Sequence, residues 1–107
     1  MLSAGCSPSP GYGRNGNNIS ANPAPQLHII EIRQMKFFPD SLAVNKGDTV
    51  RFVNKDLVVH DVTEELKQTW TSSPLSTGKS WDLVITQNVA YFCSLHVVMK
   101  GKIVVKR

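Results

Sequence analysis

The sequence predicts an all-β domain, a sandwich or barrel of short strands, behind a disordered N-terminal tether. Three observations carry this. From residue 26 onward, apolar residues recur in short runs with a period near two. Turn-forming residues separate those runs at close intervals, as in sandwiches and barrels. Residues 1 to 25 lack any apolar period and carry Pro8, Pro10, Pro23 and Pro25 among glycines, serines and asparagines.

The strands follow in order. Leu27-His28-Ile29-Ile30-Glu31-Ile32-Arg33 is branched and partly alternating. Phe37, Phe38 and Pro39 lead into Ser41-Leu42-Ala43-Val44. Asn45-Lys46-Gly47-Asp48 reads as a turn, because Gly47 can take a positive φ without a Cβ penalty. Thr49 to Asn54 alternates, with Val50 and Phe52 on one face. Val58 to Thr63 is a further strand expectation, with His60 in its middle, and Glu64 to Lys67 is expected to make one helical turn. Ser80 to Thr86 alternates Trp81, Leu83 and Ile85; Val89 to Cys93 and Gly101 to Lys106 are the last strands. Trp70, Trp81, Phe37, Phe38, Phe52 and Tyr91 are most simply core.

Bulk properties narrow the function. The 107 residues suffice for one modest domain, and 41% hydrophobic with 19% charged is ordinary globular composition. No apolar run is long enough to cross a bilayer as a helix. The net charge of +4 is spread singly, without the clustered cations and stacking aromatics of a nucleic-acid reader. It suits a solvated surface, with a mild preference for an acidic docking partner. Cys6 and Cys93 sit in unlike contexts, so they are not read as a disulfide.

Chemistry concentrates in Cys93-Ser94-Leu95-His96-Val97-Val98-Met99, where two residues separate each donor from the next. A thiolate, an imidazole and a thioether converging from one short loop make a soft site, suited to copper and unsuited to calcium or magnesium. A His2Cys site with a weak axial methionine needs a second imidazole. His28, at the start of the first strand, has the plainer reading of an exposed residue, so His60 is the better candidate. Each residue alone would be unremarkable: a buried thiol, a structural histidine, a core methionine.

Residues 26 to 107 resemble the cupredoxins of the plastocyanin, pseudoazurin and amicyanin kind. The matching stretches are Lys46 to Asn54, then His60, then Tyr91-Phe92-Cys93-Ser94-Leu95-His96-Val97-Val98-Met99-Lys100-Gly101-Lys102-Ile103-Val104-Val105. The short gap between His96 and Met99 is more like amicyanin or pseudoazurin than plastocyanin. The resemblance implies a Greek-key β-sandwich holding one copper ion, cycling between Cu(I) and Cu(II), on His60, Cys93, His96 and Met99. It implies a one-electron carrier, monomeric and not an enzyme, serving redox proteins such as a cytochrome, oxidase or reductase. The alternative is a copper storage or delivery module. A catalytic multicopper reading lacks a histidine beside Cys93, whose neighbours are Phe92 and Ser94. A structural zinc site would not need Met99. Leu57, Leu95, Val97 and Val98 on loops around His96 are expected to form an exposed apolar patch where the electron leaves through His96.

Two departures from the family matter. Leu95 stands where a proline is common, which loosens the loop without removing a ligand. Asp61 stands where asparagine is usual, and it is expected to accept a hydrogen bond from Ser94 beside the metal. Its extra negative charge favours Cu(II), so Asp61→Asn is expected to raise the reduction potential in protein-film voltammetry. An unchanged or lower potential would refute the charge argument. At the other end of the chain, Leu2-Ser3-Ala4-Gly5-Cys6 resembles the close of a bacterial lipoprotein signal. Cys6 is then the lipid anchor, and the tether could span roughly 60 Å at about 3.3 Å per residue. That implies a cell-envelope protein, periplasmic or on the outer face of the cytoplasmic membrane. Mass spectrometry of membrane-extracted protein should find lipid on Cys6; an unmodified thiol there would remove the anchor.

Overall fold

A computed structural model describes residues 24–107; Cys6 and the rest of residues 1–23 lie outside the described residues. Eight strands run in the order β1 (Leu27–Arg33), β2 (Lys36–Phe38), β3 (Ser41–Val44), β4 (Thr49–Asn54), β5 (Thr63–Glu64), β6 (Ser80–Val84), β7 (Val89–Cys93) and β8 (His96–Val105). They form two four-stranded sheets, ordered β2-β1-β4-β6 and β3-β8-β7-β5. β1 lies parallel to β4, and β3 parallel to β8; the remaining pairs are antiparallel. The sandwich expected from the short alternating runs is therefore present.

Alternation decides what each strand buries. Ile30 and Ile32 of β1, and Val50, Phe52 and Asn54 of β4, face inward while their neighbours do not. From the facing sheet come Val44, Tyr91, Cys93, Met99 and Ile103. Four aromatic rings knit the two inner faces together. Tyr91 meets Phe37 edge-on at 4.8 Å and Phe52 at 5.1 Å, and Phe52 lies 6.2 Å from Trp81. The two edge-to-face pairs of Tyr91 add about 0.5–1.5 kcal/mol each beyond the burial of area.

Tyr91 folds over Gly101, its partner across the β7–β8 ladder. A Cβ at residue 101 would fall on the Tyr91 ring and hydroxyl, so glycine is required there by space and not by backbone angle. The buried hydroxyl has no hydrogen-bond partner among the described residues. Burial, and then the charge of Asp40, push this phenol's pKa upward, so it stays neutral.

Three expectations need correction. Residues Val58 to Thr63 do not form a continuous strand. Val58 and Val59 are exposed, His60 makes an isolated bridge with Leu75, and pairing with β7 begins only at Thr63. Glu64 to Lys67 makes a turn and not a helical one. There the Glu64 carboxylate accepts the N–H groups of Thr69, Lys67 and Leu66, which outweigh its desolvation and lower its pKa to about 2. His28 is not simply exposed, because its Nε2 lies 2.8 Å from the buried Asp48 carboxylate.

One end of the sandwich collects three connections: the β1–β2 turn at Gln34 and Met35, the segment from Lys55 to Val62, and the β7–β8 hairpin at Ser94 and Leu95. Asn45 to Asp48 and the His28–Asp48 pair occupy the opposite end, where β1 and β4 begin.

Candidate metal centre

The segment after β4 is shaped by one buried side chain. Asn54 donates from Nδ2 to the carbonyls of Val58 (2.9 Å) and Leu75 (2.7 Å), and its Oδ1 accepts the N–H of Asp56 (2.8 Å). A carboxamide used on both its atoms bends the chain back on itself, which is why Val58 and Val59 never pair as a strand. The same bend delivers His60 to the interior, where it is fully buried. Its backbone is fixed by exchange with Leu75, N–H to O at 3.2 Å and O from N–H at 2.7 Å.

His60 presents its two ring nitrogens to different partners. Nε2 lies 2.7 Å from Oδ2 of Asp56, and Nδ1 lies 3.7 Å from Cys93 Sγ. Asp56 also accepts the N–H of Gln34 (2.7 Å) and of Met35 (3.0 Å). Burial pushes this carboxyl's pKa up, but the Met35 N–H, His60 and the Gln34 N–H prevail and hold it below its ordinary range. Asp56 was not among the residues singled out in the sequence.

Cys93 ends β7, and His96 begins β8 directly opposite it. The donors were expected on a loop; they sit instead on a tight hairpin whose strand resumes at His96. Its register shifts at once: Cys93 pairs with His96, yet Phe92 pairs with Lys100. The extra residues on β8 form a bulge, which re-aims side chains. Val97 and Val98 turn outward, 60% and 87% exposed, while Met99 turns into the core cluster that contains Cys93.

His96 Nδ1 also lies 3.7 Å from Cys93 Sγ, and the ligand atoms of His60, Cys93 and His96 all fall within 4.8 Å of one another. Metal–nitrogen and metal–sulfur bonds of roughly 2.0 and 2.3 Å, spread in a plane, would set nitrogen and sulfur about 3.7 Å apart. The donor set and its spacing therefore fit one soft or borderline ion. The two imidazoles are unlike in exposure: His60 is buried, and His96 is half-buried.

Asp61 binds the two ligand segments together. Its Oδ1 accepts the Ser94 N–H at 2.7 Å, its Oδ2 accepts the Ser94 hydroxyl, and Thr63 Oγ1 donates to Oδ1 at 3.0 Å. The Asp61 N–H points at Cys93 Sγ, 3.4 Å away. A donor on the sulfur withdraws charge from a thiolate and fixes its direction. Leu57 is 93% exposed and Leu95 51%, beside Val97 and Val98; Val58, Val59 and Met35, from the same three connections, are also exposed. His28 is absent from the donor cluster.

Comparison with known proteins agrees with this geometry. Residues 26–106 match the profile of the copper binding proteins of the plastocyanin/azurin family. Amicyanin from Paracoccus denitrificans is 30% identical over 84 residues, covering 73% of this chain and 64% of that protein. The chain thus spans less than two thirds of the length of that relative. Among solved structures, a purple cupredoxin from Nitrosopumilus maritimus superposes with a TM-score of 0.69 at 26% identity, covering 74% of this chain and 99% of the other. A copper-containing nitrite reductase from Thermus scotoductus gives 0.68 at 26% identity, covering 82% of this chain but 24% of the enzyme. With a matching profile across three quarters of its length and a two-imidazole, one-thiolate cluster at the end of a β-sandwich, the chain belongs to the plastocyanin/azurin family of copper-binding proteins.

Proposed function

We propose that this protein is a one-electron carrier with a type 1 copper centre on His60, Cys93, His96 and Met99. The observation that carries the reading is a single thiol flanked at 3.7 Å by Nδ1 of two histidines, one locked in the core and one near the surface. A copper ion held there would supply the redox couple and a strongly coloured thiolate bond. The chain's own part is to keep the ligand positions the same in both oxidation states. Asn54 fixes the bend before His60, Asp61 ties Ser94 to the His60 segment, and the Met99 side chain is buried at the bulge. Such a frame resists rearrangement, which is what rapid electron exchange requires.

Leu57, Leu95, Val97 and Val98 supply the docking surface in this reading. Exposed apolar residues grouped on a surface mark interaction sites, and Leu95, Val97 and Val98 flank in sequence the less buried of the two imidazoles. Exposed Lys36 follows Met35 in the β1–β2 turn, and exposed Lys55 lies two residues before Leu57, so an acidic redox protein is the fitting partner. Delivery or storage of copper is the competing reading, but a buried histidine fixed at its second nitrogen favours retention over exchange. The nitrite reductase likeness extends to the fold, while Phe92 and Ser94 beside Cys93 offer no imidazole bridge to a second copper. Anchorage through Cys6 in a bacterial envelope, as a monomer, completes the proposal, supported by the Leu2 to Cys6 run.

Two measurements test it. Titration of the reduced metal-free protein with one equivalent of Cu(II) should give an intense band near roughly 600 nm with a narrow copper hyperfine splitting, bleached by ascorbate. A colourless complex would end the type 1 assignment. Val98→Asp should leave that spectrum intact but slow electron exchange with an acidic redox protein about tenfold or more, as one hot-spot loss of 1.4 kcal/mol would. Unchanged exchange kinetics would move the docking surface elsewhere.

A further inference from the structure

The β1–β2 turn stands in an uncommon conformation. Gln34 has φ 54° and Met35 φ 61°, although neither is glycine. Non-glycine residues pay for left-handed backbone, and two in succession need something to hold them. Here the holder is visible: both N–H groups of the turn point at the Asp56 carboxylate, one to each oxygen. The same carboxylate reaches His60 Nε2. Asp56 is in turn fixed from behind. Its N–H donates to Asn54 Oδ1, and its carbonyl accepts Thr77 Oγ1 at 2.6 Å.

An ionised carboxylate can only accept. His60 Nε2 must therefore carry its proton, which leaves a lone pair on Nδ1, the nitrogen aimed at Cys93. We propose that Asp56 is a positioning residue for the metal centre, clamping the β1–β2 turn to His60 and fixing this imidazole's tautomer and orientation before any metal binds. His96 has no such carboxylate among the described residues, so the two histidines are held by different means. The turn, about twenty-five residues away in sequence from His60, becomes part of the frame of the site. This inference rests on the copper reading only for its second test.

The first test uses the full-length, metal-free protein and long-range 1H–15N NMR of the imidazoles. The wild type should show His60 as a single Nε2–H tautomer with a ring proton slow to exchange with water. Asp56→Asn keeps the shape but sets an NH2 group against one of three donors. It should mix the tautomers and speed ring-proton exchange about tenfold or more, while the Tyr91 ring signals stay in place as a control of the fold. Met35→Pro removes one turn N–H and forbids φ near 60°, and should produce the same signature at His60 without touching it. An Nδ1–H tautomer in the wild type, or an unaltered His60 in both variants, would overturn the proposal. The second test is competition for Cu(I) against a chromophoric chelator, where Asp56→Asn should weaken binding about 10–100-fold. Undiminished affinity would overturn the positioning role. Because the tautomer arm contains no metal, a protein that never turns blue leaves it readable.

Discussion

Everything at the metal end follows from the buried carboxamide of Asn54. A strand leaving a sandwich would ordinarily run on or exit to solvent. Asn54 captures one carbonyl and one N–H of the segment that follows, and the carbonyl of Leu75 beyond it, so the chain curls and His60 comes to rest opposite Cys93, 33 residues further on. No apolar residue could do this, because an alkyl side chain offers backbone carbonyls and N–H groups no hydrogen-bond partner. The site is thus a by-product of polar bookkeeping at the end of β4. The Asp61–Ser94 bonds then close the ring between the curled segment and the hairpin.

The architecture was legible in the sequence where period and spacing are local. Ile30 and Ile32, Val50 and Phe52, and Tyr91 and Cys93 sit two apart and face one way, as strands demand. Cys93, His96 and Met99 announce themselves because a hairpin keeps neighbours in sequence close in space. His60 was identifiable once a second imidazole was needed. Val58 to Thr63 misled because β-branched residues favour strands, yet tertiary hydrogen bonding from Asn54 overrode that preference. Asp56 could not be found this way. Its carboxylate gains meaning from the N–H groups of Gln34 and Met35, more than twenty residues earlier, and nothing in its own neighbourhood signals them. A carboxylate four residues before a ligand histidine was the sole local hint.

The two histidines illustrate how burial divides labour within one ligand set. His60 is enclosed and tied at both nitrogens' ends, to Asp56 on one side and toward Cys93 on the other. His96 shares the thiol but stands among exposed Leu95, Val97 and Val98. A site with both imidazoles buried would be insulated from partners, and one with both exposed would be open to solvent. The bulge in β8 makes the compromise, sending two valines outward and one methionine inward within three residues.

The hairpin has a thermodynamic corollary. Three of the four proposed donors lie within seven consecutive residues, so they remain near one another even when the sandwich is unfolded. A metal ion that binds such a segment is shared between the native and denatured ensembles, and only its differential affinity stabilises the fold. That difference resides chiefly in the remote imidazole, which the unfolded chain cannot supply at comparable cost. The melting shift between loaded and metal-free protein is accordingly a measure of what the β4 curl contributes, read in the whole domain's unfolding equilibrium.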